Sequence, residues 1–182
     1  FEVRYLDLMK KCLRDGTPFG VVSLLDGTEV RRPEEKVQLA KIGTLVNIEK
    51  HEFITPTLID VSTVGTQRFK LLSAIQEKNG LWIGEIQTLP ADPVIEIPDH
   101  LQGTANALAT LIESIGDKGI SEEQLPFRKP YRLMDCGWVA NRWSELLPLD
   151  PTTKIQFLTI DSPLLRLELV SDQLQDYGLI KP

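Results

Sequence analysis

The sequence contains few of the residues that build metal sites and disulfide scaffolds. Its 182 residues include two cysteines and two histidines. A zinc site needs three or four converging ligands. His51 and His100 lie in polar segments without such neighbours, so we expect exposed loop histidines and no metal. Cys12 and Cys136 lie in helical, apolar patterns, where we expect small buried side chains. One potential disulfide does not define a secreted scaffold, so we expect a reducing, cytoplasmic location.

Long apolar runs and an excess of basic residues are also missing. No window approaches the roughly 18 consecutive apolar residues of a membrane span, so we expect no membrane partner. Residues 1–5 show no basic leader before an apolar stretch, so we expect no signal peptide there. The sequence has 20 Lys and Arg residues and 26 Asp and Glu residues, which gives a net charge of −6. Because phosphate contacts supply most non-specific affinity for nucleic acid, this balance argues against a nucleic-acid partner.

Catalytic motifs are missing as well. Neither Gly-x-Ser-x-Gly nor the phosphate-binding Gly-x-x-x-x-Gly-Lys-Ser/Thr occurs. The acidic pairs Glu34-Glu35 and Glu122-Glu123 are sequence neighbours that point in different directions, and we interpret them as solvated charge. We therefore predict that the protein is not an enzyme, with no cofactor and no catalytic, cofactor-binding or metal-binding residue. The sequence does not identify the peptide-binding residues.

Three side chains have both a structural and a functional interpretation. Arg68 lies on the polar face of a predicted hairpin, where an Arg commonly covers a barrel end or pairs with an acid. The other interpretation is that Arg68 binds a ligand carboxylate. Trp138 and Trp143 lie on an apolar helix, where they either pack in the core or border a binding cleft. We favour the structural interpretation for all three.

The residues that are present support a packed core, since 42% are hydrophobic and 25% are charged. In the first half, apolar spacing predicts a helix over residues 4–14 that ends at Asp15-Gly16. Alternating apolar residues predict strands at 42–48 and 59–63, and a short apolar run predicts a strand at 19–25. Residues 29–41 and 51–56 are predicted loops.

The dipeptide Asn79-Gly80 predicts a β-hairpin with a type I′ turn. This turn would pair Lys78 with Leu81, Glu77 with Trp82, and Ile75 with Gly84, where the glycine leaves room for Ile75. One face of the predicted hairpin is largely apolar and comprises Phe69, Leu71, Ser73, Ile75, Trp82 and Ile86. The opposite face is polar and comprises Arg68, Lys70, Gln76, Lys78, Glu85 and Gln87. Because both strands agree on the apolar face, the sequence favours this register.

Prolines at 90, 93 and 98 predict an extended connector, since proline cannot continue a central strand. We place a domain boundary there, between a β-rich region, residues 1–90, and a helical region, residues 99–182. Apolar spacing and capping signals in the second region predict helices over 101–116, from 121, over 138–147, and after Asp150-Pro151 and Ser162-Pro163.

Several motifs together resemble the Lon protease amino-terminal domain family. Residues 1–9, 12–16 and 18–22 resemble its first helix and following strand, and Ile42-Gly43-Thr44-Leu45 resembles a strand opening. Residues 65–72 are similar to its Gly-x-x-Arg-Phe strand. Residues 146–149, 154–158 and 166–167 resemble its closing helices. The resemblance covers nearly the whole chain, and the order of the motifs is more specific than any one of them.

The resemblance implies an α+β fold, with a PUA-like β pseudo-barrel over residues 1–90 followed by a C-terminal helical bundle over residues 99–182. It also implies a role, because in full Lon proteases this domain binds protein substrates while other domains carry the ATPase and protease activities. The chain is similar to the bacterial stand-alone version. The family usually has a strand rich in Pro and Leu before the first helix, and we expect that strand in the parent protein.

Three functional hypotheses follow from the sequence. The leading one is a non-catalytic module that binds peptides or unfolded protein segments. The alternative is a PUA-like RNA-binding domain, against which the acidic balance argues. The third is a hydrolase whose motifs escape recognition.

Overall fold

The computed structural model describes residues 2–28, 37–117, 125 and 128–181. Within this part of the chain a four-stranded sheet and five α-helices make an α+β fold, as predicted. The elements in chain order are α1 (Val3–Asp15), β1 (Phe19–Asp26), β2 (Gln38–Thr55), β3 (Leu58–Gln76), β4 (Trp82–Thr88), α2 (Gln102–Asp117), α3 (Cys136–Leu146), α4 (Pro151–Thr159) and α5 (Pro163–Asp176). The chain divides into two compact units, Phe1–Ala91 and Asp92–Pro182.

Helix α1 opens the first unit, and its predicted position and end are confirmed. Leu6, Met9 and Cys12 recur every three residues and are buried along one face. Gly16 ends the helix in the left-handed conformation, with φ of 63°. The backbone N–H groups of Gly16 and Thr17 both donate to the carbonyl of Cys12, the latter at 3.2 Å, which closes the last turn.

The sheet of the first unit has the strand order β1-β2-β3-β4, and every neighbouring pair is antiparallel. Strands β2 and β3 are longer than predicted. The predicted loop at 51–56 is wrong, because His51 pairs with Val61 and Phe53 pairs with Ile59. All residues of β2 from 51 to 55 are exposed, so they show no apolar alternation that would reveal a strand.

The predicted loop at 29–41 is also wrong in the part that is described, because β2 begins at Gln38 and Ala40 is buried. Residues 29–36 lie outside the described residues, as do the predicted capping box at 121–124 and both acidic pairs, Glu34-Glu35 and Glu122-Glu123.

The β3–β4 hairpin forms, but its turn differs from the predicted type I′ turn. The N–H of Gly80 donates to the carbonyl of Glu77 at 2.9 Å, so Lys78 and Asn79 are the central residues of the turn. Gly80 follows with φ of 88°, and the N–H of Glu77 donates to the carbonyl of Leu81 at 2.8 Å. This three-residue loop with a left-handed glycine is the other common hairpin connection.

The predicted hairpin register is therefore wrong by one residue. Gln76 pairs with Trp82, and Ala74 pairs with Gly84. A further register shift lies between Leu71 and Ser73, and such an irregularity reverses which side of the sheet the following residues face.

In β3 the assignment of the apolar face is correct before this shift and wrong after it, whereas Trp82 and Ile86 in β4 are partly buried as predicted. Phe69 is buried as predicted, and Leu71 is partly buried. Ile75, predicted to face inward, is 67% exposed. Ser73 is also exposed, and its hydroxyl lies 3.4 Å from the carboxylate of Glu85. Gln76 was predicted on the polar face. It pairs directly with Trp82, so the two side chains lie on the same side of the sheet.

The second unit is helical, and α4 and α5 begin at the predicted caps, whereas α3 begins at Cys136, two residues before the predicted start. Asp150 caps α4 by accepting from the N–H of Thr153 at 3.0 Å, and Ser162 caps α5 by accepting from the N–H of Leu165 at 3.3 Å. One apolar core joins the helices and the segment before α2; its most buried members include Leu108, Cys136, Val139, Leu167, Val170 and Leu174.

A buried guanidinium holds several parts of the second unit together. Arg166 of α5 donates to Asp92 at 2.6 Å, to the side chain of Asn141 in α3 at 2.9 Å, and to the carbonyl of Phe157 in α4 at 3.1 Å. It also donates to the carbonyl of Ile160 just beyond α4. In the sequence, Arg166 is recognisable only as part of a family motif.

Candidate functional site

The first unit contains a cavity of about 610 Å³. This volume lies within the range of small-ligand and side-chain binding pockets. Helix α1, the four strands and the hairpin loop all contribute to its lining: Tyr5, Leu6, Leu8, Met9, Phe19, Gly20, Val21, Val22, Leu39, Leu45, Ile59, Val61, Phe69, Leu71, Ala74, Leu81, Trp82, Gly84 and Ile86.

The lining of this cavity is apolar and carries no charged side chain. Its side chains offer two polar groups, the hydroxyl of Tyr5 and the indole N–H of Trp82. A charged ligand group would lose its hydration there without gaining a partner of opposite charge, which costs several kcal/mol or more. The cavity therefore suits apolar ligand groups and not phosphates or carboxylates.

Pairing across the sheet explains which residues reach the cavity. Leu71 pairs with Ile86, and Ala74 pairs with Gly84, and all four line the cavity. The register shift between Leu71 and Ser73 brings Ala74, rather than Ser73, onto the cavity side. The sequence pattern alone could not locate this shift, so it did not identify Ala74 as a lining residue.

The edges of the sheet border the same cavity. Within the described residues, β1 pairs only with β2, and β4 pairs only with β3. Val21 in β1 and Trp82 in β4 both line the cavity, so each edge strand reaches it. An edge strand presents unpaired backbone N–H and C=O groups to an incoming chain.

A long-range contact that the sequence did not indicate joins two elements that contribute to the lining of the cavity, α1 and the hairpin loop. Arg4, in the first turn of α1, donates from Nη1 to the carbonyl of Gly80 in the hairpin loop at 2.8 Å. The Arg4 guanidinium also lies 2.7 Å from the Glu2 carboxylate and 4.6 Å from the centre of the Tyr5 ring. The side chain of Arg4 is 6% exposed. Arg4 lies in the first turn of an amphipathic helix, and nothing in the sequence around it indicates that its partner is Gly80.

The residues weighed for metal or catalytic chemistry lie apart from this cavity. His51 is exposed in β2, where its ring meets that of Phe53 edge-on at 5.9 Å between ring centres. His100 is exposed in a short 3₁₀ turn, Asp99–Leu101. In residues 2–28, 37–117, 125 and 128–181, no group of three or more His, Cys, Asp or Glu side chains is placed to hold a metal ion.

Both cysteines are buried free thiols, which agrees with their predicted role as small apolar side chains. Burial raises the pKa of the Cys136 thiol, and the neighbouring Asp135 carboxylate adds to the rise. The thiol donates to the carbonyl of Glu96 at 3.4 Å. Because the thiolate is the reactive form, this environment makes Cys136 unreactive.

Trp143 packs in the core, as favoured from the sequence, and Trp138 is only partly buried. The indole N–H of Trp143 donates to the carbonyl of Thr104 at 2.9 Å. Trp138 packs beside Tyr131, and the Arg142 guanidinium lies 5.8 Å from the centre of its ring. Arg68 is partly buried in β3, where it pairs with Thr44.

No helix in the described part of the chain is both long enough and apolar enough to cross a bilayer.

Known proteins and structures similar to this chain agree on one family. The model of the ATP-dependent protease La (LON) substrate-binding domain matches residues 1–176. No curated protein sequence matches the chain.

A solved Lon N-terminal domain protein from Xanthomonas campestris is 29% identical, with a TM-score of 0.73, and covers 94% of this chain and 85% of its own. The N-terminal domain of the Mycobacterium avium complex Lon protease is 15% identical, with a TM-score of 0.51, over 88% of this chain and 92% of its own. The second likeness concerns the fold alone. Because the family model spans nearly the whole chain, the protein belongs to the LON substrate-binding domain family.

Proposed function

We propose that this domain recognises protein substrates by binding extended apolar segments in the cavity of the first unit. The observation that carries the proposal is the lining of the cavity, which is apolar and uncharged. The family of the chain supports it, because the substrates of a protease are polypeptides. In this proposal the domain binds the segment and performs no chemistry on it.

The edge strands support an extended rather than a helical ligand. β1 and β4 each have a free edge within the described residues, and both contribute to the lining of the cavity. An extended segment can add main-chain hydrogen bonds to either edge while alternate side chains enter the cavity. Backbone bonding of this kind tolerates many sequences, which suits the recognition of diverse substrates.

The energetics favour weak and reversible binding. Each apolar side chain that leaves water for the cavity contributes about 1.5–3 kcal/mol. Association costs roughly 4–15 kcal/mol in lost translational and rotational freedom. Three or four inserted side chains therefore contribute roughly 4.5–12 kcal/mol, so even the smallest association cost leaves about 8 kcal/mol and a Kd no tighter than about micromolar.

We propose that the sheet and α1 form a PUA-like pseudo-barrel over residues 1–90, and that residues 99–182 form a helical bundle. The uncharged cavity lined by α1 and the strands supports the first, and the shared core of α2, α3 and α5 supports the second. The free thiols are consistent with a cytoplasmic protein.

RNA binding, the alternative from the sequence, has no supporting feature in the cavity. Its lining offers no cation to a phosphate, and the chain carries a net charge of −6. A binding isotherm that weakens steeply with salt would be the signature of such a partner.

The decisive experiment titrates the protein into a fluorescently labelled, permanently unfolded protein, such as reduced and carboxymethylated α-lactalbumin, and follows anisotropy. Val21→Lys places a charge at the cavity, at a position that is 51% exposed and so tolerant of substitution. Ile83→Lys is the matched control, because Ile83 is 45% exposed on the other edge strand and does not line the cavity.

We expect Val21→Lys to weaken binding about tenfold or more. When the ligand binds, the introduced ammonium must either lose its hydration or remain in the cavity and exclude the ligand. We expect Ile83→Lys to bind like the wild type. Binding that is absent up to about 1 mM for the wild type would contradict substrate recognition. Equal binding by the wild type and Val21→Lys would contradict the cavity as the site.

A further inference from the structure

The contact between Arg4 and Gly80 joins two walls of the cavity that are distant in sequence. Arg4 lies in α1, and Gly80 lies in the β3–β4 hairpin loop, 76 residues later. Tyr5 and Leu6, which follow Arg4, line the cavity, as do Leu81 and Trp82, which follow Gly80. The contact therefore lies at the point where the helical wall meets the hairpin wall.

Both partners of this contact are held firmly in place. The Gly80 carbonyl accepts a second hydrogen bond, from the side-chain amide of Gln76 at 3.1 Å. The positive φ of Gly80 fixes the direction of the loop. The Glu2 carboxylate and the Tyr5 ring flank the Arg4 guanidinium. A buried, charge-assisted hydrogen bond of this kind is stronger than a bond between neutral groups.

We infer that Arg4 is a positioning residue that holds α1 against the β3–β4 hairpin and thereby controls how readily an apolar segment enters and leaves the cavity. The inference rests on the proposed function for its ligand, but the holding of the two walls is a property of the free protein. When the bond breaks, the walls can separate locally without unfolding of the β2–β3 pairing.

The alternative is that Arg4 contributes only to global stability. A purely stabilising residue changes the fraction of folded molecules but not the rates at which folded molecules bind and release a ligand. Local opening changes those rates, and it also changes hydrogen exchange in the elements that separate. The two interpretations therefore differ in measurable quantities.

The test compares Arg4→Met and Arg4→Lys with the wild type, and uses Arg166→Met as a destabilised control in the second unit. Hydrogen exchange is measured on the free proteins. Stopped-flow mixing with the labelled unfolded α-lactalbumin gives the association and dissociation rates. Arg4→Lys retains a cationic donor, so it should rescue part of the effect.

We expect exchange at α1 and at the hairpin loop to accelerate about tenfold in Arg4→Met, with the β2–β3 pairing unchanged. We also expect the dissociation rate to rise about fivefold or more, with a smaller rise in Arg4→Lys. Exchange that rises equally in all strands, or rates that change equally in Arg166→Met, would overturn the inference. If the wild type binds no probe, the proposed function fails, and exchange alone decides whether Arg4 holds the walls together.

Discussion

The ring of Phe69 occupies the space that a side chain at Gly43 would need. A Cβ built on Gly43 would lie 2.5 Å from Cζ of Phe69 and 2.5 Å from the carbonyl oxygen of Val21. Gly20, on the next strand, would meet the same ring at 3.1 Å. Two glycines without side chains thus let one aromatic ring lie across β1, β2 and β3, which explains why Phe69 is only 1% exposed.

This packing predicts a large loss of stability for Phe69→Ala. The substitution leaves a cavity beneath two glycines that cannot fill it, so we expect a cost of about 3–5 kcal/mol in urea denaturation. Gly43→Ala should cost about 1–3 kcal/mol by overpacking. In the Phe69→Ala background that cost should shrink but not vanish, because the Val21 carbonyl remains. A cost below about 1 kcal/mol for Phe69→Ala would show that its ring is not in the core.

The predicted elements agree with the structure where local signals decide the conformation. The end of α1 at Gly16 and the caps at Asp150 and Ser162 depend on one or two neighbouring residues, and all three are observed. The apolar face of β3 was correct at Phe69 for the same reason, since alternation over a few residues is enough. The family resemblance then indicated the LON substrate-binding domain family, which no local pattern could indicate.

Apart from the turn type at Asn79-Gly80, which is a local signal that failed, the main predictions that failed depend on pairing between distant residues. The register shift between Leu71 and Ser73 has no sequence signature, yet it turns Ile75 outward. The contact of Arg4 with Gly80 spans 76 residues, and nothing near Arg4 indicates it. The candidate site shares this property, because its lining comes from α1 and four strands.

The observed register makes Ile75→Thr nearly neutral. Ile75 is 67% exposed, so the change in unfolding free energy should stay within about 0.5 kcal/mol. Leu71→Ala is the matched comparison on the cavity side of the same strand, and it should cost about 2 kcal/mol or more. If Ile75→Thr were the more costly of the two in urea denaturation, the inward face predicted from the type I′ turn would be right after all.

The cap of α4 predicts a dependence of stability on pH. The Thr153 hydroxyl donates to the Asp150 carboxylate at 2.6 Å, and this bond, with the Thr153 N–H, lowers the pKa of Asp150. A carboxyl whose pKa is lower in the folded state contributes stability above its unfolded pKa, about 3.9, and loses it as pH falls through the folded value. Asp150→Ala should therefore be less stable than the wild type at pH 7, and the difference should narrow as the pH falls below about 4.

Thr153→Val is the control for this titration, because it removes the hydroxyl and leaves the backbone N–H. It should reduce the pH dependence without abolishing it. Thermal unfolding followed by far-ultraviolet circular dichroism reports mainly the helices and so follows the second unit. A constant difference between the wild type and Asp150→Ala from pH 7 to pH 3 would show that the carboxylate charge does not contribute to the cap.

Arg166 and Asp92 form a buried ion pair, with 2.6 Å between the guanidinium and the carboxylate. The guanidinium is 2% exposed, and its remaining donors meet Asn141 and the carbonyls of Phe157 and Ile160. Arg166→Met fits the space but leaves these acceptors without their donor. Because the substitution leaves the buried Asp92 carboxylate without its partner of opposite charge, we expect a cost of about 3–5 kcal/mol.

Asp92→Asn should cost less, since an amide oxygen can still accept from the guanidinium while the charge is lost. The double variant separates the ion pair from the rest of the network. If the pair is the main contribution, Asp92→Asn should cost almost nothing in the Arg166→Met background, which gives a coupling energy of about 1 kcal/mol or more. If the two costs are additive in urea denaturation, the stability comes instead from the hydrogen bonds that Arg166 in α5 donates to the carbonyls at the end of α4.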